Sequence, residues 1–153
     1  MFIEQSKERG RLFMIRYEEW INRARSSLNL SKFAVNTVVN NDVYYEDLCY
    51  QTQQAVEKAI KGLLIYFEVE PEFTHNIETL INELEKYTEV PDNVKRATEL
   101  TDYAITTRYP GWYEEVTKEK YEQAVKIAEE CLEWVEGRIK EIEDKKTHDP
   151  ELP

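Results

Sequence analysis

The chain has 153 residues and a mass of 18.3 kDa, a length typical of one domain. Hydrophobic residues make up 41%, enough for a core, whereas four glycines and five prolines are too few for a many-turned β-sandwich. The net charge of −11 excludes nucleic-acid binding by bulk electrostatics, because that affinity comes from neutralising phosphates. No stretch approaches the ~20 consecutive apolar residues of a membrane span, so no membrane association is expected.

The cysteine pattern and the amino terminus bear on the compartment. Charged residues interrupt the first twenty positions throughout, which is not the pattern of a secretory signal. Cys49 and Cys131 stand alone at helical positions and are interpreted as buried thiols rather than as a disulfide framework. These features predict a reduced, cytoplasmic protein.

The charge is unevenly distributed along the chain. Residues 1–35 carry seven basic and four acidic side chains, residues 36–120 carry eight and seventeen, and residues 121–153 carry five and ten. The first helix and a few other residues could therefore form a local cationic groove. The favoured alternative is that the amino-terminal arginines form a solvated face.

The predicted elements begin with an extension at residues 1–16, expected to be helical in part. The first main helix covers about 17–38, followed by a loop at 39–42. The second helix runs from about 43 to 68, with Asn41 or Asp42 as its cap. The predicted inward residues are Trp20, Ala24, Leu28 and Val35 in the first helix, and Leu48, Thr52, Ala55, Ala59, Leu63 and Phe67 in the second. Gly62 lies near the small residues of the second stripe, which indicates close approach of a neighbouring helix.

Three further helices are predicted downstream of Pro71. The third starts at Thr74 as its N-cap and ends near residue 87. The fourth opens at Pro91 and ends before Pro110, and the fifth covers about 117–144 with Thr117 as its cap. Residues 145–153 form a tail that is expected to fray. The predicted inward residues are Ile77, Leu80, Ile81 and Leu84 in the third helix, and Val94, Ala97, Leu100, Ala104 and Ile105 in the fourth.

Together these elements predict an all-α fold, an antiparallel up-and-down bundle of about five helices that forms one domain over residues 17–144. The fifth helix would be ~40 Å long at 1.5 Å per residue, longer than the third helix can cover. Either the second helix or a partner subunit must bury the remainder, which is a first indication of a homodimer.

Few residues have the character of a reactive site. With only His75 and His148 and no paired cysteines, no metal site and no cofactor are predicted. His75 follows a predicted N-cap, where a capping or satisfied histidine is the alternative to a functional one. The segment from Arg108 to Tyr113 combines one arginine with three aromatic rings, a composition suited to phosphate, carboxylate or a base. Its alternative interpretation is a helix stop whose rings plug the end of the bundle.

Several motifs fall in an order that resembles the HEPN family, the nucleotide-binding domain of higher eukaryotes and prokaryotes. They are Trp20 with Ala24, the block QTQQAVEKAIKGLL at residues 51–64, Thr74-His75-Asn76-Ile77, Arg108-Tyr109-Pro110, and Ala124 with Ala128. The Gln-Gln-Ala-x-Glu-Lys-x-x-Lys part of the block is the most specific element. The resemblance covers about residues 17–140.

The resemblance implies a helical bundle that is usually a homodimer. It also implies nucleotide binding, and in many prokaryotic members pairing with a minimal nucleotidyltransferase as a toxin–antitoxin system. Many members are metal-independent ribonucleases that carry an arginine, four to six intervening residues and a histidine. Here the positions that would hold that histidine after Arg108 are Tyr113, Glu114 and Glu115, so this chain departs from the ribonuclease motif.

The resulting hypothesis is a non-catalytic module that binds a nucleotide, a nucleotidyltransferase partner, or both. Its predicted binding residues are Arg108, Tyr109, Lys58, Lys61 and His75, with Arg108 facing the phosphate. A surface salt bridge to Glu57, four residues earlier, is the alternative role for Lys61.

Two other hypotheses remain open. One is a ribonuclease with a diverged active site, in which Tyr113, Glu114 or His75 transfers protons beside Arg108. The other is a structural or adaptor bundle without a ligand.

Overall fold

The protein is described by a computed structural model that covers residues 16–34, 43–106 and 115–148. Within these ranges every regular element is helical, which confirms the predicted all-α bundle. The four longer helices are α1 (Tyr17–Ala34), α2 (Tyr45–Tyr66), α3 (Ile77–Leu84) and α6 (Lys118–His148). Between α3 and α6 lie the short helices α4 (Asp92–Lys95) and α5 (Tyr103–Thr106), which flank a 3-10 helix at Arg96–Leu100.

The directions of the long helices follow from side-chain contacts between them. In successive contacts, the residue numbers in α2 and α6 fall as the residue numbers in α1 rise, so α1 is antiparallel to both helices. Numbers rise together along α2 and α6, so these two are parallel neighbours. The contacts are Ser27–Lys58 and Ser31–Leu48 for α1 and α2, Arg25–Glu136 and Lys32–Glu129 for α1 and α6, and Tyr45–Tyr121 and Tyr66–Glu143 for α2 and α6. Helix α2 therefore covers α6 along most of its length.

Helix α2 forms the centre of the core because helices α1, α3 and α6 pack against its apolar stripe. Of the predicted inward residues, Leu48, Thr52, Ala55, Ala59 and Leu63 are buried, whereas Phe67, at the C-cap of the helix, is only partly buried. Burying one leucine side chain stabilises the fold by about 1.5–3 kcal/mol. Apolar residues of α1, α3 and α6 join this stripe in one hydrophobic core.

Gly62 lets α1 approach α2 closely, as its position among small residues predicted. A Cβ at this site would lie 3.0 Å from both Trp20 Cβ and Ile21 Cδ1, and 3.4 Å from the carbonyl oxygen of Tyr17. In α1 the predicted inward residues Ala24 and Leu28 are buried and Trp20 is partly buried, whereas Val35 lies outside the described residues.

Helix α2 ends in a tight reversal at Glu68. This residue has a φ of 62°, in the left-handed region that glycine adopts most easily. The amide of Val69 donates to the carbonyl of Leu64 at 2.9 Å, and the amide of Glu68 donates to that of Ile65 at 2.9 Å. The reversal sends the chain through buried Pro71 and back along α2 toward α3.

The start of α3 differs from the prediction. Asn76, not Thr74, is the N-cap, because its Oδ1 accepts from the Thr79 amide at 3.2 Å. Thr74 instead accepts from the Asn76 amide at 3.1 Å, which orders the residues just before the helix. The helix ends at Leu84, three residues earlier than predicted, and its four predicted inward residues are buried.

The predicted fourth helix is wrong as a continuous element. The chain breaks into α4, the 3-10 helix and α5, with turn residues at 101–102 between the last two. Val94, Ala97, Leu100 and Ala104 are buried as predicted, but Ile105 is 56% exposed. Each break changes the rotation per residue, so a 3.6-residue period drawn through the segment no longer places Ile105 inward.

Helix α6 begins as predicted and ends later. The Thr117 hydroxyl caps it by accepting from the Lys120 amide at 3.2 Å. The helix continues through His148 instead of ending near residue 144. Lys145 and Lys146 pair with Glu141 and Glu143 and place positive charge at the negative end of the helix dipole.

Some predictions lie outside the described residues. They concern the extension at 1–15, the predicted caps and loop at 39–42, and the final residues of the tail. In the ranges that are described, none of the helices is both long and apolar enough to cross a membrane.

Candidate functional site

Three of the five predicted binding residues can be placed. Arg108 and Tyr109 lie at 107–114, outside the described residues, as do Tyr113 and Glu114 of the ribonuclease alternative. Lys58, Lys61 and His75 are placed, and the structure brings only Lys61 and His75 together.

Lys58 faces α1, away from the other two residues. Its Nζ donates a hydrogen bond to Ser27 Oγ at 2.9 Å. Burial lowers the pKa of Lys58, and the nearby Glu57 charge partly opposes this shift. Lys58 therefore joins α1 to α2 and has no contact with His75.

Lys61 and His75 meet at the carboxylate of Glu57, which is only 7% exposed. Lys61 Nζ lies 2.8 Å from Oε1, and His75 Nδ1 lies 3.0 Å from Oε2 and 3.2 Å from Oε1. Gln53 Nε2 donates to Oε2 at 3.0 Å. Residues 53, 57 and 61 are four apart on α2 and so share one face of the helix. Gln53, Glu57, Lys61 and His75 are called the Glu57 cluster below.

The Glu57 carboxyl is ionised despite its burial. Burial by itself raises its pKa, but the Lys61 charge and the hydrogen bonds from Lys61, His75 and Gln53 outweigh that effect and hold the pKa below its ordinary value. The Lys61 ammonium balances the charge. The surface salt bridge considered from the sequence is therefore a buried pair, because both side chains are 7% exposed.

His75 is held from two sides and still reaches solvent. Its ring contacts Glu57 through Nδ1, and its backbone carbonyl accepts from Gln53 Nε2 at 3.3 Å. The side chain is nevertheless 58% exposed. One ring nitrogen is thus satisfied by the protein, while Nε2 lies on the opposite edge of the ring. The result is an accessible imidazole fixed on a buried carboxylate.

Glu57 and Gln53 were missed as site residues by sequence reasoning, which treated Glu57 only as a salt-bridge partner. The available signal was a row of three polar residues, at 53, 57 and 61, on a helix rich in apolar ones. Gln53 is fully buried and Glu57 is 5% exposed, so the row lies inside the protein. Buried polar groups require partners, which points to a cluster.

The described basic residues of the first helix do not form an unpaired cationic groove. Arg16 pairs with Glu18 and Arg23 with Glu19, while Arg25 and Lys32 pair with acidic residues of α6. All eight side chains are more than one third exposed. This supports the interpretation of a solvated face for the part of the helix that is described.

Other reactive groups in the described ranges are inert or scattered. Burial raises the pKa of both Cys49 and Cys131 to about 12, which suppresses the thiolate needed for nucleophilic chemistry. Across residues 16–34, 43–106 and 115–148, no group of three or more His, Cys, Asp or Glu side chains is arranged to hold a metal ion.

Comparison with known proteins adds a family and several relatives. The HEPN domain model matches residues 17–149. The chain is 30% identical over 145 residues to "Putative toxin MJ1304" of Methanocaldococcus jannaschii, covering 84% of this chain and 92% of that protein.

Two solved structures are similar in both fold and sequence. One is the crystal structure of ST0689, an archaeal HEPN homologue, with 32% identity and a TM-score of 0.65 over 82% of this chain and 99% of that one. The other is TT1696 from Thermus thermophilus, with 28% identity and a TM-score of 0.68 over 81% and 98% of the two chains.

Proposed function

Because this chain belongs to the HEPN family, we propose that it is the HEPN component of a toxin–antitoxin pair. It acts as a non-catalytic module that binds a nucleotide, a minimal nucleotidyltransferase partner, or both. The similarity to a protein named as a toxin supports the pairing. The observation that carries the binding role is the Glu57 cluster, in which residues of two separate motifs converge on one carboxylate and leave an imidazole accessible.

The predicted binding residues take different roles in this proposal. His75 contacts the ligand directly, since its ring is exposed. Lys61 is buried against Glu57 and acts by neutralising that carboxylate, so it does not reach the ligand. Arg108 supplies the positive fork for a phosphate or a partner carboxylate, and Tyr109 supplies an aromatic ring to the same ligand. Lys58 supports the site by fastening α1 to α2.

The proposed assembly is a homodimer that uses the outer face of α1. Leu30 and Phe33 are 55% and 79% exposed, whereas the other exposed residues of this helix are polar or charged. Light scattering should give the mass of two chains for the native protein and of one chain for Phe33→Glu. Tyr87→Glu, at a site that is 46% exposed elsewhere, is the matched control. A monomeric native protein would contradict the assembly.

The binding role is tested by affinity purification of the tagged chain from its native cells, with proteins and small molecules both identified. Calorimetric titration of the purified chain with ATP and GTP follows. Recovery of a nucleotidyltransferase, or saturable nucleotide binding, is expected. Arg108→Ala and His75→Ala should weaken the interaction, whereas His148→Ala at the end of α6 should not. Absence of both interactions would overturn the proposal.

A ribonuclease with a diverged site is the second candidate, and one observation favours it. An imidazole whose Nδ1 lies on an ionised carboxylate has the arrangement of a general base. Arg108 would steady the phosphate while His75 accepts a proton. Cleavage of RNA in the presence of EDTA, abolished by Arg108→Ala and by His75→Ala, would establish this activity. Intact RNA after prolonged incubation with micromolar protein would exclude it.

A further inference from the structure

The loop after α2 and the end of α3 form one face of the protein that carries exposed aromatic rings. Phe67 stacks on Tyr87, with ring centres 6.1 Å apart. Tyr87 is 46% exposed, and Phe73 in the loop is 57% exposed. Phe73 also lines a surface cavity of about 350 Å³ with Pro71 and two glutamates. The rings and these two glutamates are called the acidic aromatic surface: Phe67, Glu70, Glu72, Phe73 and Tyr87.

The same part of the chain concentrates negative charge. Residues 68–92 contain eight acidic side chains, one lysine and no arginine, whereas the 31 residues of α6 contain nine acidic and seven basic ones. Two of the eight form ion pairs, Glu83 with Lys86 and Glu85 with Lys95. Within the described ranges the other six are exposed and make no ion pair: Glu68, Glu70, Glu72, Glu78, Glu89 and Asp92.

The one lysine of this stretch does not neutralise it. Lys86 donates a hydrogen bond to Glu83 at 2.9 Å. This hydrogen bond raises the pKa of Lys86, and the charge of Glu72 adds to the shift, so the charge of the loop is felt at the turn that holds Tyr87. A cation arriving from solvent would therefore meet carboxylates around an exposed ring.

The protein already holds one of its own cations with the same two kinds of group. Lys146 of α6 lies over the Tyr66 ring, with Nζ 5.5 Å from the ring centre and 3.7 Å from Glu143 Oε1. The same carboxylate oxygen accepts a hydrogen bond from the Tyr66 hydroxyl. Tyr66 contacts Phe67 edge-on at 5.7 Å, so its ring belongs to the row that ends at Tyr87. A ring and a carboxylate thus bind an ammonium group at one end of this row, while the ring at the other end is exposed.

We propose that the acidic aromatic surface docks an arginine-rich segment of a partner protein. A guanidinium pairs with carboxylates and stacks its plane on an aromatic ring, so one side chain uses both kinds of group. Nucleic acid does not fit this surface, because its phosphates would be repelled. A second copy of this chain does not fit either, because the described basic residues of its first helix are paired within that copy. The inference goes beyond the proposed function and does not depend on it.

The probe is a fluorescein-labelled peptide of four Arg-Gly-Ser repeats, titrated with the native protein and followed by fluorescence anisotropy. A peptide of four Glu-Gly-Ser repeats is the control probe. Saturable binding of the arginine peptide alone is expected. When isotope-labelled protein is titrated with the same peptide, the largest backbone amide shifts should fall within residues 67–92. No binding, or the largest shifts on α6, would overturn the proposal.

Matched variants separate this surface from the overall negative charge. Glu70→Gln combined with Glu72→Gln should weaken peptide binding about fivefold, the effect of removing two exposed charges. Glu119→Gln combined with Glu133→Gln removes the same charge from α6 and should change the affinity by less than about twofold, because distant exposed charges are screened by salt. Equal losses in the two double variants would mean unspecific attraction and would contradict a site.

The ring is tested separately from the charge. Tyr87→Leu keeps an apolar contact with Phe67 but removes the aromatic face, and it should weaken peptide binding about threefold. Tyr44→Leu, at a 64% exposed ring before the start of α2, should leave the affinity unchanged. The same affinity for Tyr87→Leu as for the native protein would refute the role of the ring.

Two further outcomes would give the surface to other occupants. Spermine that displaces the peptide equally well from the native protein and from Tyr87→Leu would show diffuse binding of any polycation. A smaller mass in light scattering for the variant with Glu70→Gln and Glu72→Gln would assign the surface to a second copy of the chain. Either result would overturn docking of an arginine-rich partner.

Discussion

Helices α2 and α6 lie side by side and parallel, yet an equivalent pair of charged residues is buried in one and exposed to solvent in the other. Each carries a Glu–Lys pair four residues apart. Glu57 and Lys61 of α2 are both 7% exposed, whereas Glu141 and Lys145 of α6 are 57% and 69% exposed. The spacing is the same and only the surroundings differ. The comparison teaches that sequence spacing decides which side chains meet, while burial decides how much free energy depends on their meeting.

The physical reason is the solvent. An exposed pair exchanges water contacts for protein contacts and contributes at most about 1 kcal/mol. A buried pair has already lost its contacts with water. Removal of one partner therefore leaves a buried charge that neither water nor a counter-charge stabilises. The following experiments test this contrast between the two helices.

The largest effect is expected from Lys61→Met, which keeps the aliphatic stem and removes the charge. The variant leaves the buried Glu57 carboxyl without its cation, and the free energy of unfolding should fall by about 3 kcal/mol. Lys145→Met on α6 should change it by less than about 0.5 kcal/mol. Urea denaturation followed by circular dichroism measures both. Similar losses of unfolding free energy in the two variants would contradict the claim that burial makes the α2 pair more important for stability than the α6 pair.

The second effect concerns a glycine in each helix. Gly62→Ala places a Cβ 3.0 Å from atoms of Trp20 and Ile21, and this crowding should exceed the gain in helix propensity, for a net loss of about 1 kcal/mol. Gly137→Ala on α6 meets nothing within 4 Å and should stabilise the protein by up to about 1 kcal/mol. Thermal and urea denaturation should therefore show that the first variant is less stable than the native protein and the second is more stable. A stabilising Gly62→Ala would show that α1 can move aside to make room for the Cβ.

The smallest effect is a pH dependence. Because the pKa of Glu57 is held below its ordinary value of 4.5, its contribution to stability is present above that value. The contribution is lost as the pH falls through the lowered pKa. The difference in unfolding free energy between the native protein and Glu57→Gln should be constant near neutrality and shrink in acid. The corresponding difference for Glu141→Gln should stay near zero throughout. A constant difference for Glu57 would mean that its pKa is not lowered.

Much of the fold could be predicted because a long helix repeats the same spacing of apolar residues over several turns. The stripe of α2, the close approach at Gly62 and the Thr117 cap of α6 all follow from spacing and residue type, and all are confirmed. The failures fall where the signal is short. The segment from Asp92 to Thr106 contains three short helical elements, and no period persists long enough there to fix which side faces the core.

The candidate site was harder to predict because its geometry is not local. Lys61 could be linked to Glu57 by helical spacing alone. The contact of His75 with Glu57 joins residues 18 apart through a chain reversal, and no periodicity encodes that distance. The row of polar residues at 53, 57 and 61 is visible in the sequence, but its burial is not, since a glutamine on a helix is normally exposed. Arg108 and Tyr109 remain predictions from the sequence.

The reversal at Glu68 has a consequence for how the molecule opens. The contact between His75 and Glu57 closes a ring of chain with a sequence separation of only 18, and short rings cost little closure entropy. The residues between the end of α2 and His75 are therefore a short loop that is tied back to α2 by this polar contact. Its backbone amides should exchange with solvent together, and a left-handed glutamate sits at the point where the ring turns. Opening of this loop would break the contact between His75 and Glu57.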